Sequence, residues 1–326
     1  MAVRLKALRN AATLISLLAM TVAGCRPGTP PRTDTAASAS RLMTFTDLQK
    51  LPSLAPDQRI AYGQDSSQYG ELRVPGGAGP HPVAVLIHGG CWKAAYAQAA
   101  ELGQMGDALK ASGIASWNIE YRRLGHPGGG WPGTYLDVGR GIDHLRTLAP
   151  QHKLDLTRVV VVGHSAGGHL AMWAAGRHRL PETSALRVGD PLPLRGVVNL
   201  AGRADMTEHI REYEALCRDT VVTGLLGGTP ATVPERYAHV SAKALLPLGV
   251  PHVFVIGTHE EFVPRPLAEA YVSAAVQAGD SARLILIPEA GHFELASARA
   301  FTWPQVEGAI RSLLEGRLPA PAAAQR

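Results

Sequence analysis

The sequence is poor in the features that mark several protein classes. Aromatic residues make up only 6% of its 326 residues, and no basic stripe is interleaved with them. The net charge of +5 therefore indicates a solvated basic surface rather than a nucleic-acid partner. No internal repeat is present, and the N-terminal apolar run, residues 11–23, is short for a transmembrane helix. The hydrophobic content of 46% and the mean hydropathy of +0.01 are those of a globular enzyme.

Residues 1–24 have the pattern of a bacterial export signal. Basic residues precede the apolar run, and the run ends in the tetrapeptide VAGC. Small residues before a cysteine resemble a lipobox, in which the cysteine is lipidated and becomes the mature N-terminus. We therefore predict a protein that is anchored by lipid on Cys25 in the bacterial cell envelope and faces the periplasm. A plain secretory signal and a chance apolar start are the alternatives.

Composition divides the rest of the chain into three parts. Residues 25–45 are rich in Pro, Ser, Thr and Ala, which predicts a flexible tether. Residues 46–318 have the length of one large α/β domain. Residues 319–326 are predicted to be a disordered tail.

Strand and helix patterns alternate along this domain, which predicts an α/β fold with a mostly parallel central sheet and helices on both faces. Strands are predicted at 82–88, 114–121, 159–162, 196–200, 253–256 and 283–287, and helices at 97–112, 135–148, 266–278 and 303–314. Residues 201–248 leave this rhythm. They are predicted to be a short insertion that covers the pocket, with a helix-like stretch at 207–217.

The segment at 159–175, VVVVGHSAGGHLAMWAA, is the most informative stretch. Four valines predict a strand buried on both faces, GHSAG follows at once, and a helix-forming run comes next. Strand, G-x-S-x-G and helix together form the nucleophile elbow, in which Ser165 stands on a sharp turn. Gly163 and Gly167 leave the space that this crowded turn needs. An ordinary glycine-rich turn is the alternative.

Residues 88–92, HGGCW, leave the first clear strand, and their glycine pair lets backbone N–H groups turn inward. Together with GHSAGGHLA they resemble the α/β-hydrolase superfamily, in particular the serine esterases with an HGGxW motif. That branch includes feruloyl-esterase-like and kynurenine-formamidase-like proteins. The resemblance covers roughly residues 82–314. It implies an α/β-hydrolase domain whose oxyanion donors are Gly90, Cys91 and Ala166. His88 is expected to brace the loop rather than bind a metal.

The general base is predicted to be His292. It follows the last strand, and the small residues before it let the loop IPEAGHF reach over the elbow. In that position it would take the proton of Ser165 and later return it to the leaving group.

The acid of the triad is the least direct assignment. Relatives carry G-x-x-D-x-x-V-P after the preceding strand, and residues 257–264 here are GTHEEFVP. Glu260 therefore occupies the aspartate position, and Ser…Glu…His is an accepted order. Asp205 is the rival, although it could instead cap a helix near Thr207. Glu261 is the third candidate and is expected to point the other way.

Two further regions carry open interpretations. The loop at 121–133, YRRLGHPGGGWPG, is either a long connector or a pocket wall with Tyr121 or Trp131 facing the substrate. Asp137 is predicted to be a solvated or capping carboxylate. Cys91 and Cys217 remain after lipidation, and in an exported protein they form either a disulfide or two buried thiols.

These features predict a serine hydrolase of the carboxylesterase type, which cleaves small carboxylic esters through an acyl-enzyme. The resemblance implies no metal and no organic cofactor, and no membrane contact beyond the N-terminal lipid. An amidase or arylformamidase on the same site is the alternative. A non-catalytic binding protein with this fold is a third possibility, and the glutamate at position 260 is its only support.

Overall fold

The computed structural model describes residues 41–319, and an eight-stranded sheet runs through this part of the chain. The strands are β1 Gln58–Ala61, β2 Tyr69–Arg73, β3 His81–Ile87, β4 Ala115–Ile119, β5 Leu154–His164, β6 Gly196–Leu200, β7 His252–Gly257 and β8 Ala282–Ile287. Their order across the sheet is β1-β2-β4-β3-β5-β6-β7-β8. The β1–β2 and β2–β4 pairs are antiparallel, and all pairs from β4 to β8 are parallel. The predicted mostly parallel sheet is thus confirmed.

Helices connect and cover these strands. They are α1 Phe45–Gln49, α2 Gly103–Ala111, α3 Gly133–Asp143, α4 Leu145–His152, α5 Ala166–Gly176, α6 Ile210–Cys217, α7 Val221–Leu226, α8 Pro234–Val240, α9 Arg265–Gln277 and α10 Trp303–Leu314. Strands β4, β6 and β7 are buried at every position, which requires cover on both faces of the sheet. None of the helices within residues 41–319 has the length and apolarity needed to cross a membrane.

The predicted helices differ from the observed ones in their continuity. The helix expected at 97–112 begins as a 3₁₀ turn, Ala99–Leu102, before α2. The helix expected at 135–148 is divided into α3 and α4 at His144. The Gly141 carbonyl lies at this division and accepts a hydrogen bond from the Trp117 indole at 2.8 Å. A side chain of the sheet therefore binds the carbonyl that a continuous helix would offer to Leu145.

The sequence patterns missed the short elements at the domain's edges. Strand β1 is largely exposed, so it carries no apolar run. The insertion contains three helices, α6, α7 and α8, where one helix-like stretch was predicted. That stretch begins at Ile210 rather than at residue 207. The insertion is anchored by apolar side chains, since Val221, Val222, Leu225 and Leu226 are all fully buried.

The predictions for the chain ends fall mostly beyond the described residues. The export signal, Cys25 and the tether up to residue 40 lie outside that range, as does the predicted tail after Pro319. Within it, Thr44 is the N-cap of α1, and its side chain accepts a hydrogen bond from the backbone N–H of Asp47.

Candidate active site

Ser165 stands on a strained turn between the end of β5 and the start of α5. Its φ of 53° and ψ of −119° are unfavourable for a residue with a side chain. The crowding around it explains the flanking glycines. A Cβ on Gly163 would lie 2.0 Å from the Gly167 carbonyl oxygen, and a Cβ on Gly167 would lie 2.0 Å from that of Ile87. The two glycines therefore meet the steric requirement of a nucleophile elbow, which leaves no room for a Cβ at these positions.

His292 and Glu260 are brought together by the loops that follow β8 and β7. The His292 Nδ1 atom lies 2.9 Å from each carboxylate oxygen of Glu260, and the Glu260 side chain is only 1% exposed. Oε1 of Glu260 also accepts hydrogen bonds from the N–H groups of Phe262, at 2.7 Å, and Val263, at 3.2 Å. Burial raises the pKa of Glu260, but the His292 charge and these hydrogen bonds outweigh burial and hold that pKa below its usual value.

The two rival carboxylates have other surroundings. Asp205 accepts hydrogen bonds from the backbone N–H and the hydroxyl of Thr207, at 2.8 and 2.6 Å, and lies 3.2 Å from the Lys243 ammonium. Thr207 precedes helix α6, whose N-cap is His209, so the predicted helix-capping role of Asp205 is wrong. Glu261 is exposed.

The HGGCW loop lies against the nucleophile. Gly90 and Cys91 line one cleft together with Ser165 and His292. Both residues have positive φ angles, 93° and 50°, so the backbone winds in the left-handed sense at this point. Ala166 is the first residue of α5, where N–H groups are free of intrahelical partners. Of the three residues named as oxyanion donors, Gly90 and Cys91 thus line the cleft, and Ala166 directly follows Ser165.

A buried polar network braces this loop. The two ring nitrogens of His88 lie 3.0 Å from Glu120 Oε1 and 3.0 Å from the Gly89 carbonyl oxygen. The Tyr121 ring stacks on His88 at 4.5 Å, and its hydroxyl donates to the His88 carbonyl at 2.8 Å. Arg123 pairs with Glu120 at 2.9 Å. Within residues 41–319, no three His, Cys, Asp or Glu side chains are grouped as a metal site requires.

Three side chains of the 121–137 region differ from the predictions. Tyr121 is fully buried in the network above and does not line the cleft, so its interpretation as a pocket wall is wrong. Trp131 does not line the cleft either, because it packs against Tyr135 and lies under the Arg236 guanidinium. Asp137 is fully buried and not solvated. It accepts hydrogen bonds from Arg122, at 2.7 and 2.8 Å, because this loop folds back onto α3.

The cover insertion is joined to the HGGCW loop by a disulfide between Cys91 and Cys217, with Cα atoms 6.1 Å apart. The sequence left open whether these cysteines form a disulfide or two buried thiols, and in the structure they form the disulfide. Cys217 ends α6 and also lines the cleft. One turn earlier, α6 carries Tyr213, which is buried against Trp92 of the HGGCW loop, with ring centroids 5.6 Å apart. No motif in the sequence marks Tyr213.

Glu101 and His164 also went unassigned, although His164 belongs to the GHSAG motif itself. His164 Nδ1 lies 3.3 Å from Glu101 Oε1, and its Nε2 lies 3.1 Å from the His292 carbonyl oxygen. Both side chains are buried and reach the cleft. His164 therefore connects the elbow strand to the loop that carries His292.

The cleft has a volume of about 430 Å³, within the usual range for small-molecule sites. Its walls combine the polar centre with apolar and aromatic side chains. These wall residues are Phe45, Tyr96, Leu216, Phe262 and Phe293. A serine hydroxyl, a carboxylate-bound imidazole and nearby backbone N–H groups are the groups that acyl transfer needs.

Solved structures similar to this chain share its fold. Esterase B from Lactobacillus rhamnosis matches with a TM-score of 0.68 and 19% identity, over 82% of this chain and 90% of that one. The propionate-bound esterase Est2 from Thermogutta terrifontis matches with a TM-score of 0.65 and 19% identity, over 83% and 98%. The chain therefore has the predicted α/β-hydrolase fold.

The curated relatives are longer than this chain. Esterase LipC from Mycobacterium tuberculosis is 26% identical over 74% of this chain and 58% of its own length. A probable isoprenylcysteine alpha-carbonyl methylesterase from Oryza sativa is 24% identical over 72% and 58%. The chain spans somewhat more than half the length of these relatives. The BD-FAE family model matches residues 73–273, well over half of the chain, and the protein accordingly belongs to the BD-FAE family.

Proposed function

We propose that this protein is a serine hydrolase of the carboxylesterase type, with Ser165 as nucleophile, His292 as base and Glu260 as acid. One observation carries the proposal: both carboxylate oxygens of Glu260 lie 2.9 Å from Nδ1 of the imidazole that shares a cleft with Ser165. A carboxylate can only accept a hydrogen bond, so Nδ1 carries the proton and Nε2 is free to act as a base.

The reaction follows from this arrangement. Ser165 Oγ attacks the ester carbonyl while its proton passes to His292 Nε2, and the backbone N–H groups of Gly90, Cys91 and Ala166 bind the oxyanion. The imidazolium then protonates the departing alcohol, which leaves an acyl group on Ser165. Water, deprotonated by the same imidazole, releases the acid. The ionised Glu260 stabilises the imidazolium in both halves of the reaction.

Small carboxylic esters are the substrate class that fits best. The cleft of about 430 Å³ has aromatic walls, which suit the acyl or alcohol part of a small ester. Several similar proteins are named as esterases, including one described as a carbohydrate esterase from gut microbiota. The contact of Glu260 with His292 supports a hydrolase over a non-catalytic binding protein, for which the glutamate at position 260 was the only argument.

Purified protein should be assayed with p-nitrophenyl acetate, butyrate and octanoate, a feruloyl ester and N-formylkynurenine, and labelled with a fluorophosphonate probe. We expect hydrolysis of the shorter esters and labelling of the wild type. Ser165→Ala should abolish labelling and lower turnover by roughly 10⁴-fold or more. Faster cleavage of N-formylkynurenine than of any ester would favour the arylformamidase alternative. Undiminished labelling of Ser165→Ala would refute the proposal.

A further inference from the structure

Glu101 and His164 form a second carboxylate–imidazole pair beside the proposed triad. His164 Nδ1 lies 3.3 Å from Glu101 Oε1, and the His164 and Glu101 side chains are only 2% and 3% exposed. The centroid of the His164 ring lies 4.8 Å from that of His292. The reaction proposed above uses neither residue, yet both line the cleft that contains Ser165. Burying two ionisable groups is costly unless they are paired, so their presence beside the triad calls for an explanation.

The partners of His164 fix the protons on its ring. Its Nε2 atom lies 3.1 Å from the His292 carbonyl oxygen, which can only accept, so Nε2 donates. Burial raises the pKa of Glu101, but the hydrogen bond and the charge of His164 outweigh burial and hold that pKa below its usual value. The carboxylate is therefore ionised and accepts from Nδ1. The ring thus donates at both nitrogens, and the pair as a whole carries no net charge.

The base is therefore held at two points. Glu260 binds the ring of His292 through Nδ1, whereas His164 binds the backbone of His292 through its carbonyl oxygen. His164 is the last residue of β5 and directly precedes Ser165. This hydrogen bond connects the loop of His292 to the residue next to the nucleophile. The distance between Ser165 Oγ and His292 Nε2 consequently depends on His164.

The same carboxylate also contacts the HGGCW loop. Glu101 Oε1 accepts a hydrogen bond from the backbone N–H of Gly89 at 3.4 Å. Gly89 packs closely against the elbow, since a Cβ on it would lie 3.0 Å from Ser165 Cβ and 3.1 Å from His164 Nδ1. Glu101 itself lies in the 3₁₀ turn Ala99–Leu102. One carboxylate oxygen therefore joins the oxyanion loop to the elbow and, through His164, to the loop of the base.

We propose that Glu101 and His164 are positioning residues, which together set the distances between the nucleophile, the oxyanion loop and the base. This role rests on the proposed hydrolase function. Neither side chain exchanges a proton with the ester or with Ser165. Both act through hydrogen bonds to backbone groups, the Gly89 N–H and the His292 carbonyl. The pair therefore affects the alignment of the reacting groups and not the binding of the ester before reaction.

The test compares two amide substitutions of His164. In His164→Gln the amide nitrogen reaches about as far as Nε2 and can still donate to the His292 carbonyl. In His164→Asn the amide nitrogen reaches only as far as Nδ1, so it can contact Glu101 but not His292. We expect His164→Asn to lower kcat for p-nitrophenyl butyrate by roughly 10- to 100-fold, the effect of misplacing reacting groups by about 1 Å.

The other kinetic readouts separate alignment from binding. His164→Gln should be roughly tenfold faster than His164→Asn, because it keeps the contact with the loop of the base. KM should change by less than about twofold in both variants. The value of kcat is referred to the sites that react with the fluorophosphonate probe, so unfolded protein does not contribute to it.

Glu101→Gln tests the pair from its other member, and it replaces His164→Asn if that variant does not fold. The amide keeps the volume of the side chain but removes the charge that holds the proton on Nδ1. We expect kcat to fall by about tenfold and KM to stay constant. The double variant of Glu101→Gln and His164→Asn should be little slower than His164→Asn alone, because the two residues act as one unit.

His252→Asn is the matched control. His252 is also a fully buried histidine on a parallel strand, and its Nδ1 lies 3.0 Å from the Val250 carbonyl oxygen. It is the first residue of β7, however, and so lies at the edge of the sheet opposite Ser165. This substitution should lower Tm and leave kcat and KM near the wild-type values.

Three results would overturn the inference. One is the kcat of the wild type in His164→Asn or in Glu101→Gln. Another is an equal loss of kcat in His164→Asn and His164→Gln, which would show that the His292 carbonyl is not the contact that matters. The third is a loss no greater than in His252→Asn and matched by an equal fall in Tm, which would show a structural role. The failure of the proposed function is distinct, because wild-type protein would then neither hydrolyse esters nor react with the probe, and both proposals would fall together.

Discussion

Both carboxylate oxygens of Glu260 lie 2.9 Å from Nδ1 of His292, and the resemblance to the HGGxW esterases implied an aspartate at this position. The longer side chain is accommodated because its own loop turns back on it. Oε1 accepts hydrogen bonds from the N–H groups of Phe262 and Val263, which hold the carboxylate in one orientation. The glutamate is therefore fixed by its backbone as well as by the imidazole.

The first prediction concerns this carboxylate. Glu260→Gln should remain folded and lower kcat by roughly 10³- to 10⁴-fold, because the imidazole loses both its tautomer control and its counter-charge. Steady-state kinetics with p-nitrophenyl butyrate measure the effect, and circular dichroism checks the fold. Glu260→Asp tests the length of the side chain separately, and full activity would show that the loop tolerates either acid.

Two neighbouring carboxylates serve as controls for that experiment. Glu261→Gln should be close to wild type, since the side chain is exposed. Asp205→Asn should be mildly destabilised at most, because its partners are Thr207 and Lys243. Normal kcat in Glu260→Gln combined with a large loss in Asp205→Asn would show that the acid has been assigned to the wrong residue.

The second prediction concerns the disulfide. Cys217→Ser should lower the free energy of unfolding by on the order of 2–5 kcal/mol, because the bond closes a loop with a sequence separation of 126 residues. It should also lower kcat, since the end of α6 is no longer bonded to the HGGCW loop. Urea unfolding and ester hydrolysis measure the two effects. Reductant should reproduce them in the wild type and leave Cys217→Ser unaffected. A wild type indifferent to reductant would contradict the prediction.

The third prediction is a dependence of stability on pH, through Glu120. Burial opposes ionisation, but the charge and hydrogen bond of His88, with the charge of Arg123, lower the pKa of Glu120 to about 2. Because the folded pKa is below the unfolded one, the carboxylate stabilises the protein above about pH 4.5. That contribution disappears as the pH falls towards 2. Its full size is on the order of 3 kcal/mol.

Urea unfolding of Glu120→Gln and wild type between about pH 2.5 and 5 checks this sign. The free energy of unfolding should fall with decreasing pH in the wild type and fall less steeply in the variant, which takes up one proton fewer. Glu261→Gln removes an exposed carboxyl group, and the free energy of unfolding of this variant should depend on pH as steeply as that of the wild type. Equal slopes for Glu120→Gln and wild type would mean that Glu120 is not the group responsible.

The fourth prediction concerns Cys25, which lies outside the described residues. We propose that it is lipidated, because small residues precede it at the end of the apolar run. Full-length protein expressed in a bacterium should partition with membranes and incorporate an alkyne fatty acid. Cys25→Ser should abolish incorporation. Wild-type protein that is secreted without the label would indicate the plain secretory signal instead.

Much of the fold could be predicted because local sequence patterns determine most of its strands and helices. A run of valines that is buried on both faces predicts a parallel strand, and β5 contains it. Strand β6 and helix α10 have the bounds that the sequence predicted. The edge strand β1 was missed because exposed residues show no apolar period. The division between α3 and α4 was missed because its hydrogen-bond partner, Trp117, comes from a different strand.

The same distinction applies to the candidate site. Within the motif at 163–167, neighbouring residues specify the turn. Glycine is the only residue type whose backbone can come as close to other backbone atoms as those of Gly163 and Gly167 do. The sequence alone therefore determined the place of Ser165 on a sharp turn between a strand and a helix. Asp137 was misassigned because an aspartate in a helix pattern carries no sign of the Arg122 side chain that folds over it.

Only the tertiary structure decided which side chains from distant segments of the chain contact each other. Of three candidate carboxylates, the loop after β7 turns Glu260 towards His292 and leaves Glu261 exposed. The insertion packs Tyr213 against Trp92 of the HGGCW loop, and its sequence contains no motif that predicts this contact. Steric restrictions on the backbone act between adjacent residues, so the local sequence is enough to predict them. A hydrogen bond between side chains depends on how separate loops pack, which no single stretch of sequence specifies.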